Sequence, residues 1–229
     1  MDRWPTVEGP RSRCVAAHRP LSASRVSGML NLRLKGERTM KHPLIWSALA
    51  AALTFGASAY GAQHKVKVLA APEDATQKTV LIGRNIAGNM MVIFELEPAK
   101  GMWMQMDKTW AEHPVGKGEI FHVEVKPVDP KSKTRISYAE VAFSAVNRDI
   151  KKKVSATLHP MWGGSGLHYA ANSPLAGDGV YEATITVGVP TFARDPKDKE
   201  LWMKPVTTRF HFKLAGGKLV EVSEPAGDK

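Results

Sequence analysis

Four residues of types that bind metal ions stand in two short motifs of this sequence. His122 and Glu124 are two positions apart in an alternating apolar pattern, so both side chains leave one face of the predicted strand, roughly 7 Å apart along it. Met161 and His168 flank a glycine-rich stretch, and glycine allows a loop to fold back until its ends meet. We predict that these four side chains converge on one metal ion, for which copper is the best candidate.

The mixture of ligand types favours copper in either oxidation state. Imidazole suits copper and zinc, a thioether prefers Cu⁺, and a carboxylate helps to hold Cu²⁺. Iron at a second site would need a harder, carboxylate-rich position, for which Glu119 and Glu140 are the nearby candidates. Each pair also has an ordinary interpretation, since His122 and Glu124 fit an exposed polar strand face and a methionine before a tryptophan is often core.

A second candidate for metal binding is a run of alternating methionines. Met102, Met104 and Met106 alternate, so an extended backbone places them on one face. They fit ordinary packing, because methionine fills irregular gaps well. They also fit an accessory metal site for Cu⁺ or an entry path for it, together with His113. The sequence leaves both interpretations open.

The elements that must hold these residues are strands. Period-two alternation is clear at 119–128, 137–147 and 206–214, where Phe210 and Phe212 are predicted to point inward. No segment keeps an apolar stripe of helical period for three turns. Residues 107–118 and the glycine-rich stretch read as loops. The pattern predicts an all-β fold, an immunoglobulin-like antiparallel β-sandwich of seven to nine strands.

The N-terminal region predicts export. From Met40, a short basic start, an apolar run and small residues before Gln63 are typical of a signal peptide, here residues 40–62. Residues 1–39 resemble no targeting segment, and we interpret them as an upstream extension from a wrongly assigned start. Residues 63–229 then form a single metal-binding domain in the periplasm.

Composition excludes several function classes. Residues 1–62 hold nine of the 32 basic and three of the 22 acidic residues, so the remainder has a net charge of only +4, which argues against a nucleic-acid partner. The single cysteine, Cys14, also falls in the predicted leader, which leaves no disulfide and no thiolate ligand. The glycine-rich stretch is neither a nucleophile elbow nor a phosphate loop, so we predict no enzyme. No membrane span is expected in the mature protein.

The order and spacing of these motifs resemble a known family. Pro160-Met161-x6-His168-Tyr169-x2-Asn172, preceded by His122-x-Glu124 and followed by Trp202-x-Lys204-Pro205, is similar to the periplasmic iron-transport accessory proteins that accompany bacterial iron permeases. The likeness runs over roughly residues 78–214. It implies an immunoglobulin-like homodimer that binds copper near the subunit interface, with ligands at His122, Glu124, Met161 and His168.

This chain departs from the family pattern in the ligand set. The family commonly supplies another histidine before the Trp-x-Lys-Pro segment, whereas residues 192–197 contain none. An acidic residue often found between the ligand Met and His is replaced by Ser165 or a neighbouring glycine. His159 lies two positions before Met161 and is a candidate replacement for the absent imidazole, although Pro160 stands between them.

The resemblance implies a periplasmic protein that binds copper and assists iron uptake through an inner-membrane iron permease. Whether copper changes the oxidation state of iron or only shapes a binding site is left open. A copper carrier or buffer without an iron role is the alternative within metal biology. An immunoglobulin-like module that binds a protein partner and no metal is the alternative from another class.

Overall fold

A computed structural model describes residues 65–175 and 177–224. The predicted extension 1–39 and the signal peptide 40–62, with its start at Met40, lie outside the described residues and stay predictions. No helix in the described part of the chain is both long and apolar enough to cross a bilayer.

The described residues form twelve strands and one turn of 3-10 helix at Pro196–Asp198. All neighbouring strands that pair with each other are antiparallel. The strands are β1 (Val66–Glu73), β2 (Val80–Ala87), β3 (Met90–Pro98), β4 (Met102–Met106), β5 (Thr109–His113), β6 (Phe121–Val128), β7 (Val141–Asn147), β8 (Lys152–Gly163), β9 (Gly166–Ser173), β10 (Gly179–Val187), β11 (Val206–Ala215) and β12 (Lys218–Ser223).

Ten of these strands belong to one continuous sheet that doubles over into an immunoglobulin-like antiparallel sandwich, with the order β1-β12-β11-β10-β7-β8-β9-β6-β3-β2. Strand β8 is shared by the two layers. Lys152 to Leu158 pair with β7 in the first layer, and His159 to Gly163 pair with β9 in the second. The predicted all-β sandwich is confirmed, and the long β8 explains how one strand can serve both layers.

The strand number exceeds the predicted seven to nine for two local reasons. Residues 107–118 were expected to be a loop, but Thr109–His113 form β5, whose residues are all exposed and therefore lack an apolar alternation. The glycine-rich stretch was also expected to be a loop. It is instead a tight hairpin between β8 and β9, in which Gly163 pairs with Gly166. In both places, pairing with the neighbouring segment of the chain forms a strand that has no alternating hydrophobic pattern.

The core lies between the two layers and is rich in phenylalanine. Phe94 of β3 contacts Phe143, Phe210 and Phe212 of the opposite layer, with ring centroids 5.4 to 6.1 Å apart. Tyr181 stacks on Phe212 at 4.8 Å. Full burial of one such ring stabilises the fold by about 1.5–3 kcal/mol. The predicted inward orientation of Phe210 and Phe212 is confirmed, since both are fully buried.

Strand β2, at the edge of the second layer, packs against β11 and β12 of the first layer through Gly83. A Cβ on Gly83 would lie 2.9 Å from both a ring carbon of Phe210 and the Cβ of Ser223, closer than packed carbons approach. The absence of a side chain therefore allows this edge to pack tightly. The second layer, β8 to β2, carries the predicted ligands on its outer face.

Candidate metal centre

Strand register assembles the predicted ligands on the outer face of the second layer. Strand β6 lies between β3 and β9, so its polar side chains meet neighbours on both sides. His122 is opposite Glu97 on β3 and Asn172 on β9, while Glu124 is opposite Glu95 and Ala170. Since alternate residues share a face, His168 lies on this face too, two positions before Ala170.

His122 and Glu124 were expected to face solvent if they were only a polar strand face. The alternation is as predicted, but His122 is 0 % exposed and Glu124 2 % exposed. Every residue of β6 is buried, with Phe121, Val123 and Val125 on the core side. The expected exposure is wrong because β6 is a central strand whose polar side chains are enclosed by those of β3 and β9.

Each buried imidazole is held through its Nδ1 atom. His122 Nδ1 is 2.8 Å from Asn172 Oδ1, and the Asn172 amide is itself oriented because its Nδ2 donates to the Lys100 carbonyl at 3.0 Å. His168 Nδ1 is 2.8 Å from the Gly166 carbonyl oxygen. Both partners are acceptors, so both Nδ1 atoms carry the hydrogen. Each Nε2 atom is therefore left with a free lone pair.

Neither Nε2 atom has a hydrogen-bond partner, although both are buried. The two rings are 6.5 Å apart between centroids and nearly perpendicular. A buried polar atom without a partner costs free energy, so a pair of them on one face needs an explanation. Metal ligation supplies one, because ligating histidines typically donate their other ring N–H to a carbonyl or amide behind them.

Burial also acts on the protonation of His122. Desolvation lowers the pKa of His122 below its ordinary value of 6.5, with the nearby Lys100 charge acting in the same direction against the hydrogen bond to Asn172. The ring is consequently neutral at neutral pH. A neutral imidazole is the form that binds a metal ion.

Glu124 is ionised and held in place. Burial by itself would raise the pKa of its carboxyl, but hydrogen bonds from Lys126 and Ser165 and the nearby positive charge lower it from 4.5 to about 2. Lys126 Nζ and Ser165 Oγ each donate to Glu124 Oε1 at 2.6 Å. The other oxygen, Oε2, is 3.8 Å from His168 Nε2. One carboxylate oxygen is thus engaged by the protein and the other faces the imidazole.

Met161 is placed beside His168 by the β8–β9 hairpin. The two residues are directly opposite in register, which corresponds to Cβ atoms about 4.5–5.5 Å apart. Met161 is half-buried, unlike its exposed neighbours Pro160 and Trp162. The hairpin turns through Gly164 and Ser165, and Gly166 has a positive φ of 81°, which glycine adopts without strain.

Gly163 leaves room for the His168 ring. A Cβ at this position would lie 3.1 Å from His168 Cε1 and 3.9 Å from Nε2. At Gly164 a Cβ would meet nothing within 4 Å. The structure therefore brings together His122, Glu124 and His168 in one buried cluster, with Met161 at its margin.

Within residues 65–175 and 177–224, no three His, Cys, Asp or Glu side chains are arranged so that they could hold a metal ion by themselves. The donor set nevertheless fits copper, because two bare Nε2 atoms and one free carboxylate oxygen are accompanied by the thioether of Met161. A thioether is a soft donor that carboxylate and imidazole sites lack. The fit therefore depends on Met161 completing the set.

His159 is not brought into this cluster. It is exposed and lies opposite Ala170, which separates it from Glu124 in the same row of the sheet. Pro160 is accommodated between His159 and Met161 because this half of β8 pairs with β9 alone, and proline is tolerated on an edge strand. Whether His159 replaces the family's absent histidine stays a hypothesis.

The methionine pattern forms the separate two-stranded hairpin β4–β5. Met102 pairs with His113 and Met104 with Ala111, so the three methionines and His113 share a face, as alternation predicts. Met102 is 6 % exposed and Met106 is 54 % exposed, with Met104 between them. The hairpin begins two residues after Lys100, whose backbone contacts Asn172 of the buried cluster.

The sequence did not identify the acidic neighbours of the imidazoles. Glu97 Oε1 is 3.8 Å from His122 Nε2, and Glu95 forms an ion pair with Lys126. The alternation of Glu95 and Glu97 in β3 was the available signal. Of the two carboxylates suggested for iron, Glu119 instead accepts a hydrogen bond from the Gly116 amide at 2.7 Å. Glu140 is exposed and directly precedes β7.

A comparison with known protein families finds a match in the part of the chain that carries the motifs. Residues 119–216, which include all four predicted ligands, match the family described as Fe2+ transport protein. The predicted family resemblance is confirmed. None of the curated proteins compared with the chain matches its sequence.

Two solved structures are similar to this chain. The copper-reconstituted P19 protein from Campylobacter jejuni is 22% identical, with a TM-score of 0.50 over 61% of this chain and 98% of its own. FetP from uropathogenic E. coli strain F11 is also 22% identical, with a TM-score of 0.48 over 60% of this chain and 97% of its own. At this identity the likeness to P19 shows a shared fold.

Proposed function

We propose that this protein is a periplasmic copper-binding protein that assists iron uptake through an inner-membrane permease. The observation that carries the proposal is the pair of buried Nε2 atoms without partners, each on a ring whose Nδ1 is held by an acceptor. Such an arrangement is costly in a protein that binds nothing and is preorganised for a metal ion.

Each side chain has a defined part in this proposal. His122 and His168 bind through Nε2, Glu124 offers Oε2, and Met161 supplies the soft donor. Asn172 and the Gly166 carbonyl fix the ring orientations from behind. Bound copper would supply a one-electron couple to the centre. No catalytic residue is assigned.

The comparisons support the two halves of the proposal. The matched family is described as Fe2+ transport protein, and P19, which shares the fold, was studied as a copper-reconstituted protein. From the same resemblance we propose export by the segment starting at Met40, a homodimer, and an inner-membrane iron permease as partner. A harder second site for iron is part of the proposal without assigned residues.

A copper titration followed by iron uptake tests this function. The mature protein, purified without chelator, is titrated with Cu²⁺ and with Cu⁺ while bound metal is counted, and size-exclusion chromatography gives its oligomeric state. We expect one tightly bound copper per chain. In cells that carry the cognate permease, we expect copper-dependent iron uptake that is lost in His122→Ala/His168→Ala. Failure to bind copper would overturn the proposal and leave a module that binds a protein partner.

A copper carrier or buffer without an iron role is the second candidate function. The β4–β5 hairpin favours it, because Met102, Met104, Met106 and His113 share one face that runs from buried to exposed. Thioethers on a hairpin that reaches solvent suit the transfer of Cu⁺. Copper binding without any effect on iron uptake would support this candidate over the first.

A further inference from the structure

Each free imidazole nitrogen faces a carboxylate, and each of these carboxylates is engaged by its own lysine. Glu97 Oε1 lies 3.8 Å from His122 Nε2 and 2.5 Å from Lys100 Nζ. Glu124 lies 3.8 Å from His168 Nε2 through one oxygen and 2.6 Å from Lys126 Nζ through the other. A carboxylate between an imidazole and a lysine therefore occurs twice, once beside each histidine.

Lys126 is the more enclosed of the two lysines. Its side chain is 6 % exposed, and its ammonium group bridges Glu124 and Glu95, which are directly opposite each other on neighbouring strands. Like charges directly opposite in a sheet repel, so the lysine relieves that repulsion. Lys100 is 39 % exposed and pairs with a single carboxylate, so solvent screens its charge more.

The lysines change the charge that an entering metal ion would meet. Glu95, Glu97 and Glu124 alone would give the cluster three negative charges, and the two lysines reduce this to one. The imidazoles are neutral donors through Nε2 and the Met161 thioether is uncharged. Repulsion from a fixed positive charge is twice as large for a divalent as for a monovalent cation.

We propose that Lys100 and Lys126 make this centre select Cu⁺ over Cu²⁺ and other divalent cations. They do so by neutralising the two carboxylates that face the imidazoles, so that soft donors decide the affinity. The inference rests on the proposed copper-binding function and names residues that set its oxidation-state preference. A purely structural role for Lys126 would instead change the affinities for both oxidation states equally.

The test measures Cu⁺ and Cu²⁺ affinities of the mature protein separately, at pH 8, together with the reduction potential. For Lys126→Met we expect the ratio of Cu²⁺ to Cu⁺ affinity to rise at least about tenfold, which lowers the potential by about 59 mV per factor of ten. Lys126→Arg keeps the charge and should restore the ratio. Lys100→Met should shift the ratio in the same direction by less.

Two further variants keep the test decisive. Glu95→Gln/Lys126→Met frees Glu124 without leaving two opposed carboxylates, so it reports the ratio even if the single variant fails to fold. Lys213→Met is the matched control, because Lys213 pairs with Glu221 on the other layer, at 3.4 Å. An unchanged ratio in Lys126→Met, or in the double variant where the single one does not fold, would overturn the lysine proposal alone. Absence of copper binding by the wild-type protein would overturn the proposed function with it.

Discussion

The buried cluster on β6, β8 and β9 and the β4–β5 hairpin contain the same ligand types in opposite settings. In the cluster, His122 and His168 are fixed through Nδ1 and enclosed by a central strand and its neighbours. The hairpin is a separate two-stranded sheet of five-residue strands, with Trp103 and Trp110 about two-thirds exposed, at 66 % and 59 %. An isolated pair of strands is only marginally stable.

This difference separates a preorganised site from an adaptable one. Donors that are already oriented lose little conformational entropy on binding, so the cluster should bind tightly and specifically. Thioethers on a marginally stable hairpin must be ordered when they bind, so the hairpin should bind weakly and exchange quickly. Variants of the two regions should therefore differ in both the size and the kind of their effects.

The largest contrast is expected from removing donors. His122→Ala or His168→Ala should weaken copper binding by about 100-fold or more, beyond the 10–100-fold typical of changes to residues that only support a ligand. Met102→Leu/Met104→Leu/Met106→Leu should weaken the tight site by less than about tenfold. Competition with a chromophoric chelator measures both. A larger loss in the methionine variant would reverse the assignment of the two regions.

Preorganisation itself is tested at Asn172. Asn172→Leu removes the acceptor that orients His122, and we expect copper affinity to fall by about 10–100-fold. Asn172→Asp retains an acceptor and should lose less. Asn85→Leu is the matched control, since Asn85 Nδ2 donates to the Arg209 carbonyl at 2.7 Å, away from the cluster. Equal affinity in Asn172→Leu and wild type would show that the ring needs no support.

Acid should destabilise the metal-free cluster. The pKa of His122 is lowered, so below about pH 6.5 the unfolded chain binds a proton that the folded chain rejects, and stability falls by up to about 1.4 kcal/mol per pH unit. The pKa of Glu124 is lowered from 4.5 to about 2, so its contribution is present above pH 4.5 and is lost between these values. Urea unfolding at pH 8, 6 and 5 measures the first effect, and His122→Asn should abolish it. An unchanged slope in that variant would point to another group.

The soft donor of the cluster distinguishes the oxidation states. Met161→Leu keeps the side-chain volume and removes sulfur, so we expect Cu⁺ affinity to fall about tenfold and Cu²⁺ affinity to fall less. Separate titrations under reducing and oxidising conditions provide the measurement. Equal losses for both oxidation states would exclude Met161 as a ligand.

The smallest effect is expected at the hairpin turn. Gly163→Ala places a methyl group against the His168 ring and should weaken copper binding by less than about tenfold, below the usual range for a lost supporting hydrogen bond. Gly164→Ala should leave binding unchanged, because a Cβ there meets nothing within 4 Å. If the two alanine variants behave alike, the room beside His168 has no role.

Sequence alone predicted the parts of the molecule that depend on local pattern. Alternation identified the β6, β7 and β11 strands and the faces of Phe210 and Phe212, because side-chain direction in a strand follows directly from the period of two. The His122-x-Glu124 pair and the Met161-to-His168 spacing led to the iron-transport family resemblance, since motif order is a property of the chain itself. Strand β5 escaped prediction because its five residues are exposed and carry no alternation.

Tertiary structure alone decided burial, pairing and charge around the predicted residues. No local pattern shows that β6 lies between β3 and β9, and this position is the reason why His122 and Glu124 are enclosed rather than exposed. Glu97 and Asn172 reach His122 from 25 and 50 positions away through register. Lys126 neutralises Glu95 only because two strands pair in one alignment. Such contacts depend on long-range pairing, which a single sequence read in short windows does not contain.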